Sequence, residues 1–477
     1  MLKQKLFTRF DCFMDDPEAP EPEFEVVSAD ITEALSIPYE IKLKLSSPLL
    51  NLTPRAFIKQ PGRLILHFGR HKRYFHGIIG IFKQLQMVTT SDGDTNCFYE
   101  ACLYPQFWFL KFNKDYRIFQ EKSTLDIVSE LLEENELINV TFPKLHTTSA
   151  LEHADPVRKY CVQYGESDFD FISRLLEDRG FYYYFHHHST KHYLKLAFTR
   201  HDHKMCPVVD TIEIRDTDFK GNELNKVLTY EVTSQILPQH HVLMDYNYHQ
   251  AGLEMISHVH SVGDGGVIYE YPGRFSHLHD GHIKTKHFVE SDETQNLILT
   301  GDSVAPFFSP GFNFTLSGHP NVLFDEKVFT LETVTHHIID PRFAGEDDIL
   351  YQNTFSAFLS GAPYRPELKT PKPKIHGTQT AIVVAPHGEE VWTDEQGRVK
   401  VQFHWNHRGY RTPVVIHASE HNHTKHHKQH HHKGFHKRGA MEDDAVRHRH
   451  KRHKHRHALP DVDEGQTYDD SMLVSEE

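Results

Sequence analysis

The side chains in this sequence best suited to chemistry are histidines, and they crowd toward its end. Between His417 and His457 fourteen of 41 residues are histidine. Neutral imidazoles at that density bind zinc, nickel or copper opportunistically. His421, His423, His426, His427, His430, His431 and His432 are the candidate metal ligands, and no resident cofactor is implied. Within the tract, His417-Ala-Ser-Glu420-His421 satisfies the H-x-x-E-H pattern that places two zinc ligands and a base on one helical face. A tract this rich in histidine produces the pattern by chance, and no apolar stripe supports a buried helix there.

Other strings give less. Gly301-Asp302-Ser303 is similar to the nucleophile string of some esterases, but three residues recur by chance, and the run to Ser309-Pro-Gly reads as a turn before a strand. His186-His-His188, His201/His203, His240/His241 and His336/His337 are flanked by strand and turn signals and read as surface loop residues. Cys97 and Cys102 are too far apart for C-x-x-C and have no second pair, so they read as structural thiols. Glu389/Glu390 and Asp347/Asp348 fall in turns with no sugar-binding cleft implied. The expectation is a non-enzymatic protein.

Composition sets the class. A length of 477 residues allows two to four domains, and 38% hydrophobic with 25% charged residues fits a soluble globular protein. The N-terminal MLKQKLFTRFDCF lacks an apolar core and a small-residue cleavage site, and no run has transmembrane length. No signal peptide and no membrane insertion are expected. Five scattered cysteines, an odd number, argue for reduced thiols and synthesis in the cytosol. Net charge is −14, yet between His421 and His457 eleven Lys/Arg face three Asp/Glu, so the rest carries about −22. Such an acidic body is a poor partner for nucleic acid, and only the basic tract would hold polyanions, without specificity.

The elements that must position these groups are mostly strands. Residues 158–185 read as strand, helix, strand. Tyr160, Val162 and Tyr164 alternate with Cys161 and Gln163, and Ser167 caps a helix with Asp170 completing the box. Phe169, Ile172, Leu175 and Leu176 form its apolar stripe, Gly180 stops it, and residues 181–185 make an aromatic strand, so the aromatics of this unit are expected to be buried. Before it, residues 24–31, 39–46, 63–68, 74–79 and 98–104 read as strands and 123–135 as a helix with Leu125, Ile127, Val128, Leu131 and Leu132 on its buried face. After it come strands at 193–198, 211–215, 227–232, 242–248 and 327–337. Many short strands separated by turns predict barrels.

The string Cys161-Val-Gln-Tyr-Gly-Glu-Ser-Asp-Phe-Asp-Phe-Ile-Ser-Arg-Leu-Leu-Glu, ending near Gly180-Phe-Tyr-Tyr-Tyr-Phe185, resembles the signature of the VgrG family, the tip-spike proteins of type VI secretion, similar to tailed-phage baseplate hubs. Glu33-Ala-Leu-Ser, Tyr39-Glu-Ile, Phe75-His-Gly-Ile, Leu103-Tyr-Pro and Arg117-Ile-Phe-Gln resemble the family's N-terminal hub in the expected order. Tyr269-Glu-Tyr-Pro-Gly-Arg-Phe275, Gly311-Phe-Asn-Phe-Thr-Leu-Ser-Gly-His319 and Gly397-Arg-Val-Lys-Val-Gln-Phe-His-Trp405 continue the resemblance, the last at the start of the OB-fold neck.

The resemblance covers residues 24–411 and implies a mainly β fold with α insertions (α+β): two β-barrel-like hub modules and the beginning of an OB-fold neck. The expected domains are a hub at 1–361, a Pro/Lys-rich linker at 362–374, a partial neck at 375–412 and a disordered tail at 413–477 that is His/Lys/Arg-rich and then acidic. Where the family continues into neck strands and a needle, this sequence turns histidine-rich at about Thr412, so a truncated or frameshifted spike is expected. The resemblance implies a homotrimer on an Hcp tube, with baseplate components and a PAAR-type tip protein or effectors as partners, and export through the type VI system. A phage or contractile-particle baseplate hub and a His-rich metal-binding protein are the alternatives.

Overall fold

The structure is a computed structural model that describes residues 6–14, 23–89, 95–143, 154–214, 224–343, 345, 350–385, 391, 393–394 and 397–407. Asp347/Asp348, Glu389/Glu390, the H-x-x-E-H string and the seven candidate metal ligands from His421 to His432 lie outside these residues. Among the described residues no helix is long and apolar enough to cross a membrane.

The fold begins with six antiparallel strands, β1 (Leu6–Cys12), β2 (Glu25–Ala34), β3 (Ile37–Ser47), β4 (Pro61–Phe68), β5 (His71–Thr89) and β6 (Thr95–Tyr104), in the order β1-β4-β5-β6-β3-β2. Alternation sets their faces: Tyr39, Ile41, Leu43 and Leu45 on β3 point into the core, while Lys42 and Lys44 point out. The sheet curls until β1 lies beside β2, although among the described residues those two form no ladder. The β2–β3 turn holds Ser36 at φ +57°, and its N–H donates to the Tyr183 carbonyl at 2.7 Å.

A mixed layer follows. β7 (Lys114–Phe119) pairs antiparallel with β9 (Cys161–Ser167). Between them, α1 (Thr124–Glu134) is capped by Ser123 and Asp126 in a reciprocal box and buries Ile127, Val128, Leu131 and Leu132, with Leu125 only partly covered. A short strand, β8 (Val140–Thr141), then joins the sheet made by β10 (Tyr182–His187) and β11 (His192–Ala197).

The unit at 158–185 forms as its pattern predicts, with two corrections. In α2 (Asp168–Arg179) the Ser167 hydroxyl accepts from the Asp170 N–H at 3.0 Å, but the Asp170 carboxylate takes its bond from that same hydroxyl at 2.7 Å. Gly180 stops the helix at φ +71°. On β9 the inward residues are Cys161 and Gln163, not Tyr160, Val162 and Tyr164. The reason is polar: Gln163 is fully buried with its amide nitrogen donating to Asp168 Oδ1 at 2.8 Å and to the Glu166 carbonyl at 3.1 Å, which satisfies the donor end of a group that is costly to bury. Tyr160 is therefore 51% exposed, against the expectation that the unit's aromatics are all buried.

The second strand module is a closed ring. After β12 (Lys204–Met205), β13 (Thr211–Ile214) and β14 (Lys226–Ser234) come β15 (His240–Asp245), β16 (Met255–His260), β17 (Val267–Glu270) and α3 (Leu278–Thr294), which form an insertion. The ring resumes with β18 (Leu297–Ser303), β19 (Phe312–Ser317), β20 (Lys327–Ile339) and β21 (Tyr351–Leu359). Following the ladders from β20 through β21, β18, β14, β13 and β19 leads back to β20. Closure leaves these six strands no free edge. Phe308, Phe314, Phe329 and Phe355 fill the interior, and Phe358 faces the other side of its strand. The two modules are stitched into one sheet by β2 and β20, in register from Ser28↔Ile339 to Ala34↔Thr333.

Residues 362–374 run along the outside. Tyr364 stacks on Phe358 and meets Tyr182 edge-on, and Thr370 is held by the Glu177 carboxylate. β22 (Ala381–Val383) and β23 (Val401–Phe403) then form a two-stranded antiparallel pair.

Candidate functional site

The most concentrated chemistry among the described residues is a buried charge centre at the seam between the strand modules. Glu33, near the end of β2, receives Arg73 Nη2 from β5 at 2.8 Å. His336 Nε2 from β20 lies 3.4 Å and His187 Nε2 from β10 lies 3.6 Å from the same carboxylate. Arg73 also donates through Nη1 to the carbonyls of Pro306 and Phe308. Burial alone would raise the Glu33 pKa, but Arg73 and the two imidazoles hold it well below the usual carboxylate range. Burial, helped by the Arg73 charge, brings His336 down to about 4 against the pull of Glu33, so its ring is neutral at pH 7.

A hydrogen-bond chain extends from this centre. His336 Nδ1 meets the Tyr351 hydroxyl at 2.7 Å, Asn353 Nδ2 donates to that hydroxyl at 2.9 Å, and Ser303 Oγ donates to Asn353 Oδ1 at 2.9 Å. Ser303, the candidate nucleophile, is thus fully buried at the end of β18. The string Gly301-Asp302-Ser303 ends a barrel strand, and the expected turn before the next strand follows it at residues 304–311. The Ser303 hydroxyl also accepts from the Ala305 N–H at 3.1 Å, so it fixes the 303–308 loop against β21.

His188 and His201 are exposed outside the strands, as expected for surface loops, but His240/His241 and His336/His337 lie in strands. Consecutive residues of a strand point to opposite faces, so one of each of these two pairs is drawn inside. His336 is buried while His337 faces out to Asp30 at 2.7 Å. His241 is buried against Asp292 at 2.8 Å while His240 lies on the opposite face. His203 is enclosed between the Tyr182 hydroxyl at 2.9 Å and the Gly311 carbonyl at 3.0 Å. All five cysteines are buried free thiols, and burial pushes Cys12 and Cys206 up to about 12, far from reactive thiolates.

A second polar cluster joins α2 to α3. Asp178 takes Arg158 at 2.8 Å and Lys284 at 3.0 Å, and Arg365 takes Glu290 at 2.7 Å while donating to the Gly180 and Phe198 carbonyls. Burial opposes the Asp178 charge, yet Lys284 and Arg158 hold that carboxyl far below its usual range. Sequence reasoning missed α3 altogether. Its buried face is Gly281, Lys284, Thr285, Val289, Glu290 and Thr294, and only the run of residues free of Gly and Pro after His282 hints at it.

The third feature is aromatic. Trp405 from the segment after β23 sits against Tyr164 of β9 and Tyr116 of β7, with ring centroids 5.5 and 5.9 Å away. Its indole N–H donates to Gln379 Oε1 at 3.0 Å, and His407 Nε2 reaches Asp115 Oδ1 at 2.8 Å. This explains why Tyr164 faces outward on β9: it seats the first two strands after 375. Among the described residues no three His, Cys, Asp or Glu side chains converge on one metal position.

Known proteins share this architecture. The phage tail baseplate hub (GPD) family profile matches residues 32–341. The type VI secretion system spike proteins VgrG1c and VgrG1a of Pseudomonas aeruginosa are each 29% identical, over 377 and 379 residues. Each alignment covers 77% of this chain and 50% or 56% of the relative, so the chain spans about half the length of the curated relatives it matches. Among solved structures, the E. coli c3393 protein, a type VI secretion component with structural similarity to T4 tail proteins gp27 and gp5, aligns at TM-score 0.60 and 20% identity. That alignment covers 83% of this chain and 88% of that one. A tail protein from Neisseria meningitidis aligns at TM-score 0.51 and 10% identity, over 74% and 97%. The profile spans the layer between the strand modules and most of both modules, and the chain belongs to the phage tail baseplate hub (GPD) family.

Proposed function

We propose that this chain is a scaffold, not an enzyme, and acts as the hub of a type VI secretion spike. Three copies assemble side by side, sit on the end of an Hcp tube and carry effectors out through the type VI system, together with baseplate components and a PAAR-type tip protein. The observation that carries this reading is the fusion of two six-stranded modules into one sheet at β2–β20. Three chains with two modules each supply six similar units, which suits a six-fold tube. The network around Glu33 supports the same role, because a buried polar centre shared by both modules fixes their register.

Within the phage tail baseplate hub family, the curated relatives that align over 77% of the chain are secretion spike proteins, whereas the solved tail protein is alike in fold alone, so the secretion reading is preferred to a phage baseplate. Light scattering with negative-stain imaging, in the presence and absence of purified Hcp, tests it. The expected result is a particle of three times 55.6 kDa that caps Hcp rings. A chain that stays monomeric at every concentration and leaves Hcp uncapped overturns the reading.

A further inference from the structure

The insertion between β14 and β18 has a face with no counterpart in the hub role. α3 covers one side of its three-stranded sheet, where Leu243, Met255 and Phe275 form a small core and the Thr285 hydroxyl donates to Ser257 Oγ at 2.7 Å. On the uncovered side three histidines stand together. His240 of β15 lies directly opposite His260 of β16, and His258 is the next residue along β16 on the same face. The His240 ring lies 4.8 Å from His258 and 4.7 Å from His260, centroid to centroid.

We propose that His240, His258 and His260 form a zinc site, with three imidazole ligands and a fourth position open to solvent. The spacing suits it: two ligands two residues apart on one strand and a third across the ladder place three rings over one patch of sheet. His258 Nε2 and His240 Nδ1 already face each other at 2.9 Å. Two imidazole nitrogens on one tetrahedral zinc, each bound at about 2.0–2.1 Å, sit roughly 3.3 Å apart. A zinc ion therefore fits between them after a small opening. The hydrogen now shared on that bond moves to the remote nitrogen of its own ring, so both rings stay neutral and no net proton is released at this pair.

His260 supplies the third ligand. Its Nδ1–H donates to the Gln239 carbonyl at 3.0 Å, which leaves the lone pair on Nε2. A ring N–H held by a backbone carbonyl is the usual second shell of a metal-binding histidine. As they stand the three rings do not converge on one metal position: His258 and His260 are both exposed, and His260 must turn toward the other two rings to complete the set. Borderline-soft nitrogen donors without a carboxylate favour zinc over calcium or magnesium.

The test must see this face and not the histidine tract. Amide hydrogen exchange read by mass spectrometry on the full chain, with and without added Zn2+ at pH 7.5, gives a local signal for peptides covering 238–262. Zinc that bridges β15 and β16 should slow exchange there by roughly the ratio of free zinc to its dissociation constant. The double variant His258→Ala/His260→Ala should lose that protection, and His249→Ala, an exposed histidine outside the cluster, should keep it. Should the alanine variant unfold, His258→Gln/His260→Gln keeps the side-chain volume and serves the same comparison. Unchanged exchange at 238–262, or equal protection in the double variant, overturns the proposal even if the whole chain takes up zinc.

Discussion

His336 Nε2 faces Glu33 Oε2 across 3.4 Å in a seam where neither side chain is more than 3% exposed. Burial of this imidazole, against the pull of Glu33, makes the hub sensitive to acid. His336 is held at about 4, below its unfolded value near 6.5, so its contribution is complete above about pH 6.5 and is lost as pH falls toward 4. His76, brought by burial to about 4, and His192, to about 3, act in the same direction. Glu33, shifted down, loses its contribution only below about pH 4.3. His336 alone contributes about 3 kcal/mol over this window. Calorimetry at pH 7.5, 6 and 5 should show a falling melting temperature, and a flat profile would contradict the buried neutral imidazoles.

Breaking the centre from one side should cost more than removing it. Glu33→Gln leaves the Arg73 guanidinium buried beside a neutral amide, and Arg73→Met leaves the carboxylate unpaired. Each single change is expected to destabilise by about 3–5 kcal/mol. The double variant should lose markedly less than the sum, which urea unfolding of the four proteins would measure. Simple additivity would mean the two residues do not act together.

Gly180 is fixed by two independent demands. Its φ of +71° is left-handed, and a Cβ there would stand 2.9 Å from both Arg365 Cδ and His287 Nδ1. Gly180→Ala should therefore cost at least about 1–2 kcal/mol from backbone alone, and more because Arg365 must release the Gly180 and Phe198 carbonyls. Thermal unfolding checks it, with Gly252→Ala, where nothing lies within 4 Å of the added atom, as the neutral comparison.

Trp405→Ala should free the segment after residue 375 without unfolding the barrels. It removes the ring from between Tyr116, Tyr164 and Phe403 and the bond to Gln379. The expected result is faster proteolytic cleavage at 376–407 with an unchanged melting temperature for the rest. A large fall in melting temperature would show that this segment is integral to the hub.

Much of the architecture was legible, and the failures have physical causes. Ser123, Ser167 and Gly180 marked helix ends because capping is local chemistry. The strands at 39–46, 63–68 and 98–104 announced themselves by alternation. α3 did not, because its buried face carries Lys284, Glu290 and two threonines held by partners far away in sequence. The charge centre was equally hidden. Glu33, Arg73, His187 and His336 come from four strands, and no spacing rule connects them. Reading His336/His337 and His240/His241 as loops overlooked that a strand sends neighbouring residues to opposite faces.

The ladder between β2 and β20 also has a history in time. Asp30 and His337, which meet across it, are 307 residues apart in the chain. At roughly 5–20 residues per second, a ribosome takes on the order of 15–60 s to make the distance between them. Through that interval the outer edge of β2 waits with unpaired amides, and Glu33 and Arg73 wait without the histidine from β20. An open strand edge of this length is the kind that captures other nascent chains. The seam that gives the finished hub its rigidity thus closes late, and crowded polysomes or a slowly translating host should show it first, as aggregation of otherwise sound protein.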